Sequence, residues 1–185
     1  MSTGLLLLVA LGIVATQWRP EAEKSKPTTS SPVNPEPSKE NVSKLVQEQI
    51  THLKEVVARN SDDAKSAFEL ARMLQDGHDA PGAMKYYELG LKADPKNVEA
   101  RVDYSLCLYQ TGKLQEAFHQ NALVLKQDAS NPHALYNIGS LYGNRGMSDS
   151  AAYYWRKLIS SHPHDQLARK AEENLKKLSG NTTSM

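Results

Sequence analysis

The sequence predicts an all-α solenoid, a row of antiparallel helix pairs, and three observations carry that prediction. The first is a self-repeat of 34 residues: Ala83, Ala117 and Ala151 share that spacing, as do Leu91, Leu125 and Ile159, and Leu74, Leu108 and Tyr142. Small residues keep the same phase at Ala71, Ser105 and Gly139, and Pro95 and Pro163 stand two periods apart. A fixed period of this length marks stacked units, each burying its apolar face only against its neighbours. The second observation is that each unit divides into two stretches of helical apolar periodicity joined by a turn: Gln75-Asp76-Gly77-His78-Asp79, Gln110-Thr111-Gly112-Lys113 and Asn144-Arg145-Gly146-Met147. Pro95, Pro132 and Pro163 fall at the breaks between units, so no proline interrupts a helix interior. The third is a one-sided terminal helix, with Leu167, Ala171, Leu175 and Leu178 on one face and Arg169, Lys170, Glu172, Glu173, Lys176 and Lys177 on the other. Such a helix keeps the last apolar face of an open-ended array from water.

Residues 1–18 hold GLLLLVALGIVA, about twelve uncharged and mostly apolar residues. That is short for a spanning helix, which needs roughly 17–25 residues, and close to the core of a signal peptide. No lysine or arginine precedes the run and no good small-x-small cleavage site follows it, while Trp18 and Arg19 look like an interfacial anchor pair. The expectation is a membrane anchor, with a cleaved signal as the alternative. Arg19, Lys24 and Lys26 would hold the C-terminal part in the cytoplasm by positive-inside counting, but Glu21 and Glu23 sit among them and orientation stays open. Residues 19–40 carry five of the nine prolines, four charges of each sign and a single large aliphatic, Val33. This stretch cannot bury a core and reads as a semi-extended linker.

The body follows. Val42, Leu45, Val46, Ile50, Leu53, Val56 and Val57 form one helical stripe within 41–63, and three units occupy 64–97, 98–131 and 132–165. A capping helix takes 166–178 and a polar tail 179–185. In the first unit Asp79 followed by Pro81 opens the second helix, because proline's missing N–H costs nothing in a first turn.

Composition and motifs exclude several functions. With 22 basic and 21 acidic residues, net +1, the chain lacks the basic excess of a nucleic-acid binder. One cysteine, Cys107, permits no internal disulfide and no cysteine-based zinc site. His162-Pro163-His164 has no third ligand nearby in sequence and reads as a solvated loop. Gly139, Gly143 and Gly146 mimic a phosphate-cradling loop, but helix rather than strand precedes them. No catalytic set, cofactor or metal site emerges, so the chain is expected not to be an enzyme.

The residue pattern resembles the tetratricopeptide repeat. The first unit supplies Leu70, Ala71, Leu74, Ala83, Tyr87 and Pro95 at its signature positions, and the third supplies Ile138, Gly139, Tyr142, Ala151, Trp155 and Pro163. The middle unit departs twice, with Asn121 at the aromatic position and Ala129 where proline is usual, though Tyr104, Ser105, Leu108, Gly112 and Ala117 hold its phase. In the same phase, the stripe over 41–63 looks like the second half of a decayed repeat.

The resemblance implies a concave groove lined by the first helix of each unit, receiving a protein or peptide. The implied groove residues are Phe68, Glu69 and Arg72, then Val102, Asp103, Leu106 and Tyr109, then His133, Tyr136, Asn137, Ser140 and Asn144. Their mix of apolar and amide surface suits a peptide with one or two apolar anchors. The bland alternative is that Val102, Leu106 and Tyr109 are covered by the N-terminal helix or the linker. Phe68, Arg72, Asp103 and His133 stand where chaperone-binding members carry the lysines and asparagines of a carboxylate clamp, so that clamp is not expected. The layout of hydrophobic run, spacer and three repeats is also similar to membrane-anchored bacterial envelope proteins, among them repeat subunits of cytochrome c maturation. That likeness implies a repeat domain held in the periplasm at the inner membrane. A self-assembling organiser of a larger complex is the rival function.

Overall fold

The computed structural model describes residues 39–182, with side chains from 43 to 179. The expected anchor at 1–18 and nearly all of the linker lie outside the described residues. Eight helices follow in order: α1 Lys39–Arg59, α2 Ala64–Asp76, α3 Ala80–Ala93, α4 Val98–Gln110, α5 Leu114–Gln127, α6 Pro132–Gly143, α7 Ser148–Ser161 and α8 Gln166–Thr182. Among the described residues there is no strand. α2 pairs with α3, α4 with α5 and α6 with α7, and each pair packs on the next, with α1 against α2 and α8 against α7 and α6.

Local chemistry explains the boundaries. Asp63, Asp79, Asn97 and Asn131 each accept a hydrogen bond from the backbone N–H three residues on, satisfying a donor that the first turn leaves orphaned. α5 and α7 begin without a side-chain cap. Their entry is set instead by the preceding turns, where Gly112 and Gly146 take φ of 78° and 72°. The first unit places His78, not Gly77, at the equivalent position, with φ 62°. That left-handed conformation crowds a Cβ.

Leu70, Leu108, Leu135 and Leu158 are fully buried, each contributing about 1.5–3 kcal/mol against exposure. Close helix approach requires the small residues of the pattern. A Cβ on Gly139 would stand 2.4 Å from Trp155 Nε1, so the indole lies directly on the α6 backbone. Trp155 Nε1 donates to the Tyr136 carbonyl at 3.3 Å.

Two boundaries and one burial pattern differ from the sequence expectations. α1 begins at Lys39, two residues into the stretch read as linker. Its apolar stripe is buried only in part: Ile50, Leu53 and Val57 are covered, while Leu45 and Val46 stay 63% and 42% exposed. The reason is length, since α1 has 21 residues and α2 only 13, so the N-terminal part of α1 overhangs its partner. At the other end α8 runs to Thr182, four residues beyond Leu178, because Gly180 continues the helix instead of terminating it.

Candidate peptide-binding groove

The first helices α2, α4 and α6 carry the residues expected to line the groove, and the structure sorts them into three groups. Phe68 is a core residue, only 3% exposed. Its ring fills the space beside Gly90, where a Cβ would meet Phe68 Cε1 at 2.4 Å. This corrects the groove assignment: glycine on α3 leaves a gap that the ring closes. Glu69 and Arg72 are exposed on α2. Glu69 accepts from Gln49 Nε2 at 3.4 Å, and Arg72 Nη1 reaches Glu99 Oε1 at 3.0 Å, bridging the first and second units. An exposed pair of this kind contributes about 0–1 kcal/mol.

Val102 and Asp103 are half-buried on α4. Desolvation raises the Asp103 carboxyl above its ordinary range, Arg72 and His133 pull it down by their charge, and Glu99 pushes it up. Burial likewise raises the neighbouring Tyr87 phenol, which donates to Gln75 Oε1 at 2.8 Å. His133 is exposed at the start of α6.

The third group gathers around one hollow. Leu106 and Tyr109 from α4, and Tyr136, Asn137 and Ser140 from α6, line a pocket of about 260 Å³. Leu106 is 40% and Tyr109 38% exposed, and α1 is packed on α2, so among the described residues the N-terminal helix does not cover them. Hydrogen bonds hold the rim in place. Asn144 Nδ2 donates to the Tyr109 hydroxyl at 2.5 Å, Asn174 Nδ2 to the Tyr136 hydroxyl at 3.3 Å, and Ser140 Oγ to the Tyr136 carbonyl at 3.0 Å. A roomier hollow of about 650 Å³ lies between α1 and α2, beneath the overhang and away from the other groove residues.

Four lining residues were not among those expected: Ser105, Ala117, Asn121 and Leu141. Three of them sit at ordinary packing positions of the repeat. They reach a pocket because Asn121, whose departure from the aromatic pattern is visible in the sequence, is too short to cover them. Asn121 is 1% exposed and fully engaged with protein: Nδ2 donates to the Ala117 carbonyl at 2.9 Å and Oδ1 accepts from Asn137 Nδ2 at 3.1 Å.

Cys107 is fully buried and its thiol is pushed up to about 11 by desolvation and the Asp103 charge, so it stays protonated at neutral pH. Among the described residues no group of three or more His, Cys, Asp or Glu is placed to hold a metal ion.

Comparison with known proteins bears on the architecture. No protein-family model matches the chain. A tetratricopeptide repeat protein from Parabacteroides merdae superposes with a TM-score of 0.67 at 18% identity, covering 77% of this chain and 57% of that one. YrrB, described as a TPR protein with an unusual peptide-binding site, superposes with a TM-score of 0.64 at 24% identity over 71% of this chain and 68% of its own. The fold is the tetratricopeptide-repeat solenoid. The first TPR of Spaghetti (RPAP3), bound to the HSP90 peptide SRMEEVD, is a further tetratricopeptide neighbour (TM-score 0.59, 18% identity, 67% of this chain and 98% of that one). In sequence the chain is similar to probable UDP-N-acetylglucosamine–peptide N-acetylglucosaminyltransferases SPINDLY. The Solanum lycopersicum protein is 27% identical over 114 residues, and the Eustoma exaltatum subsp. russellianum protein 32% over 100. These matches cover 62% and 54% of this chain but only 12% and 11% of those proteins, a small part of their length.

Proposed function

We propose that this tetratricopeptide solenoid is a non-catalytic scaffold whose groove between α4 and α6 receives a peptide segment of a protein partner. The observation that carries the reading is the combination at that groove of exposed apolar surface, Leu106 and Tyr109, with an adjoining pocket rimmed by amides and hydroxyls. Apolar anchors in pockets supply most of the affinity of such interfaces, and polar groups around them fix orientation. Peptide binding by YrrB and by the Spaghetti repeat supports the choice of ligand class. The glycosyl-transfer activity named for the SPINDLY proteins is not carried over, because the match spans only 12% and 11% of those proteins.

The finer part of the proposal is a tether. The apolar run at 4–15 and the proline-rich spacer would present the solenoid at a membrane surface, as in the envelope proteins whose layout it shares, including those of cytochrome c maturation. Its support is the sequence layout alone. Among the described residues no helix is long and apolar enough to cross a membrane.

The test is a selection of random displayed peptides on the immobilised protein, followed by titration of the recovered peptides against Tyr109→Ala, Tyr136→Ala and Arg72→Glu. Loss of a central anchor costs about 2 kcal/mol or more, roughly a thirtyfold weakening, so at least one tyrosine variant must show it. Peptides that bind all three variants as tightly as the parent would refute the groove. The tether is tested by deleting 4–15, which should release the protein from the membrane fraction.

A further inference from the structure

Positions 87, 121 and 155 are structurally equivalent, one in the second helix of each unit. Tyr87 is 0% and Trp155 4% exposed, and each ring fills the slot between the first helix of its own unit and the next helix along. Each also satisfies its polar edge on that first helix, Tyr87 through Gln75 and Trp155 through the Tyr136 carbonyl. The middle unit keeps the small residue that makes room for a ring, Ser105, in the place of Ala71 and Gly139. It has no ring. Asn121 turns back onto the Ala117 carbonyl and sideways to Asn137, and Ser105 Oγ turns back to the Val102 carbonyl at 2.7 Å. The slot therefore stands open to the groove as the 260 Å³ pocket.

We propose that this pocket is a socket for an aromatic side chain of the bound peptide, a tyrosine or tryptophan, which occupies the place that Tyr87 and Trp155 fill in the flanking units. The claim rests on the groove reading and specifies the partner's anchor. Shape supports it, because the two flanking slots of the same repeat geometry are each filled by one amphipathic ring. Lining chemistry supports it as well. Leu106, Leu141 and Ala117 offer apolar walls, while Asn137, Ser140 and Tyr109 place hydrogen-bonding groups at the edge. Tyr109 stands one period after Gln75, the residue that receives the Tyr87 hydroxyl. Its own oxygen already accepts from Asn144, which leaves its hydroxyl proton to donate to a guest phenol. An aromatic ring with one polar edge matches a pocket that is apolar on its walls and polar at its rim.

The test titrates the full chain, ¹⁵N-labelled, with N-acetyl-tyrosinamide, N-acetyl-tryptophanamide, N-acetyl-leucinamide and N-acetyl-alaninamide, following the side-chain amide signals of Asn121 and Asn137. The aromatic amides should move those signals with at least tenfold tighter binding than the leucine and alanine amides. Asn121→Phe, which supplies the missing ring, should abolish the response at Asn137 while raising the unfolding temperature. Equal response to leucinamide and tyrosinamide, or no response to either aromatic, overturns the socket even if Asn121→Phe fails to fold. The displayed-peptide selection separates the two claims. Peptides that need Tyr109 but lack a recurrent Tyr or Trp, and bind Asn121→Phe undiminished, sink the socket and leave the groove standing. Recovery of no peptide at all sinks the groove, and the socket that rests on it falls with it, whatever the aromatic amides do.

Discussion

Gly139→Ala tests whether the ring-on-backbone contact sets the spacing of the third helix pair. In an ordinary helix interior this change gains about 1 kcal/mol, since alanine loses less backbone freedom than glycine. Here the new methyl would meet Trp155 Nε1 at 2.4 Å, Cδ1 at 2.5 Å and Cε2 at 2.9 Å. Those are atoms of a rigid bicycle, 4% exposed and held by its bond to the Tyr136 carbonyl, so the ring cannot swing aside as a flexible chain end could. Overpacking of this kind costs about 1–3 kcal/mol, and a buried pinned indole belongs at the upper end. The net expectation is a loss of about 2 kcal/mol in the intact protein. Removing the obstacle reverses the sign: in a Trp155→Ala background the same substitution should stabilise by about 1 kcal/mol, giving a coupling of about 3 kcal/mol. Urea unfolding of the four variants followed by circular dichroism at 222 nm measures the cycle. A Gly139→Ala protein more stable than the parent, or an equal effect in both backgrounds, would refute the reasoning.

Other outcomes follow from single positions. His78→Gly should stabilise by about 1 kcal/mol in the same assay, because it relieves a left-handed conformation that the equivalent Gly112 and Gly146 adopt freely. Asp103 has a folded-state value raised by burial, so the fold favours its protonated form: its contribution is intact at low pH and lost as pH rises through the raised value. Asp103→Asn should thus be more stable than the parent at pH 7, with the gap closing as pH falls toward 4 in paired thermal melts. Cys107, with its thiol near 11, is thiolate in only about one molecule in a thousand at pH 8. An aromatic disulfide reagent should therefore titrate it slowly in the native protein and at once in denaturant.

Much of the architecture is written in one dimension. The 34-residue period, the break prolines and the cap at Asp79 are local or strictly periodic signals, and Asp79 does accept from the Gly82 N–H at 2.9 Å. Helix extent was less legible at the ends. The overhang of α1 is not decided by residues within that segment, since it depends on the shorter length of α2. The groove residues divided for the same reason. Phe68 has the sequence character of an exposed anchor and becomes core only because Gly90, 22 positions away, leaves a gap for its ring.

The sequence by itself determined that helix pairs stack in a row, because each unit carries the same packing residues in the same phase and has no other way to bury them. It also displayed the anomaly at Asn121 as a broken pattern. Only the tertiary structure turned that anomaly into a place. A missing ring becomes a pocket when the helices on either side are held apart by their own flanking pairs, and that constraint comes from the neighbours rather than from the residue that is short.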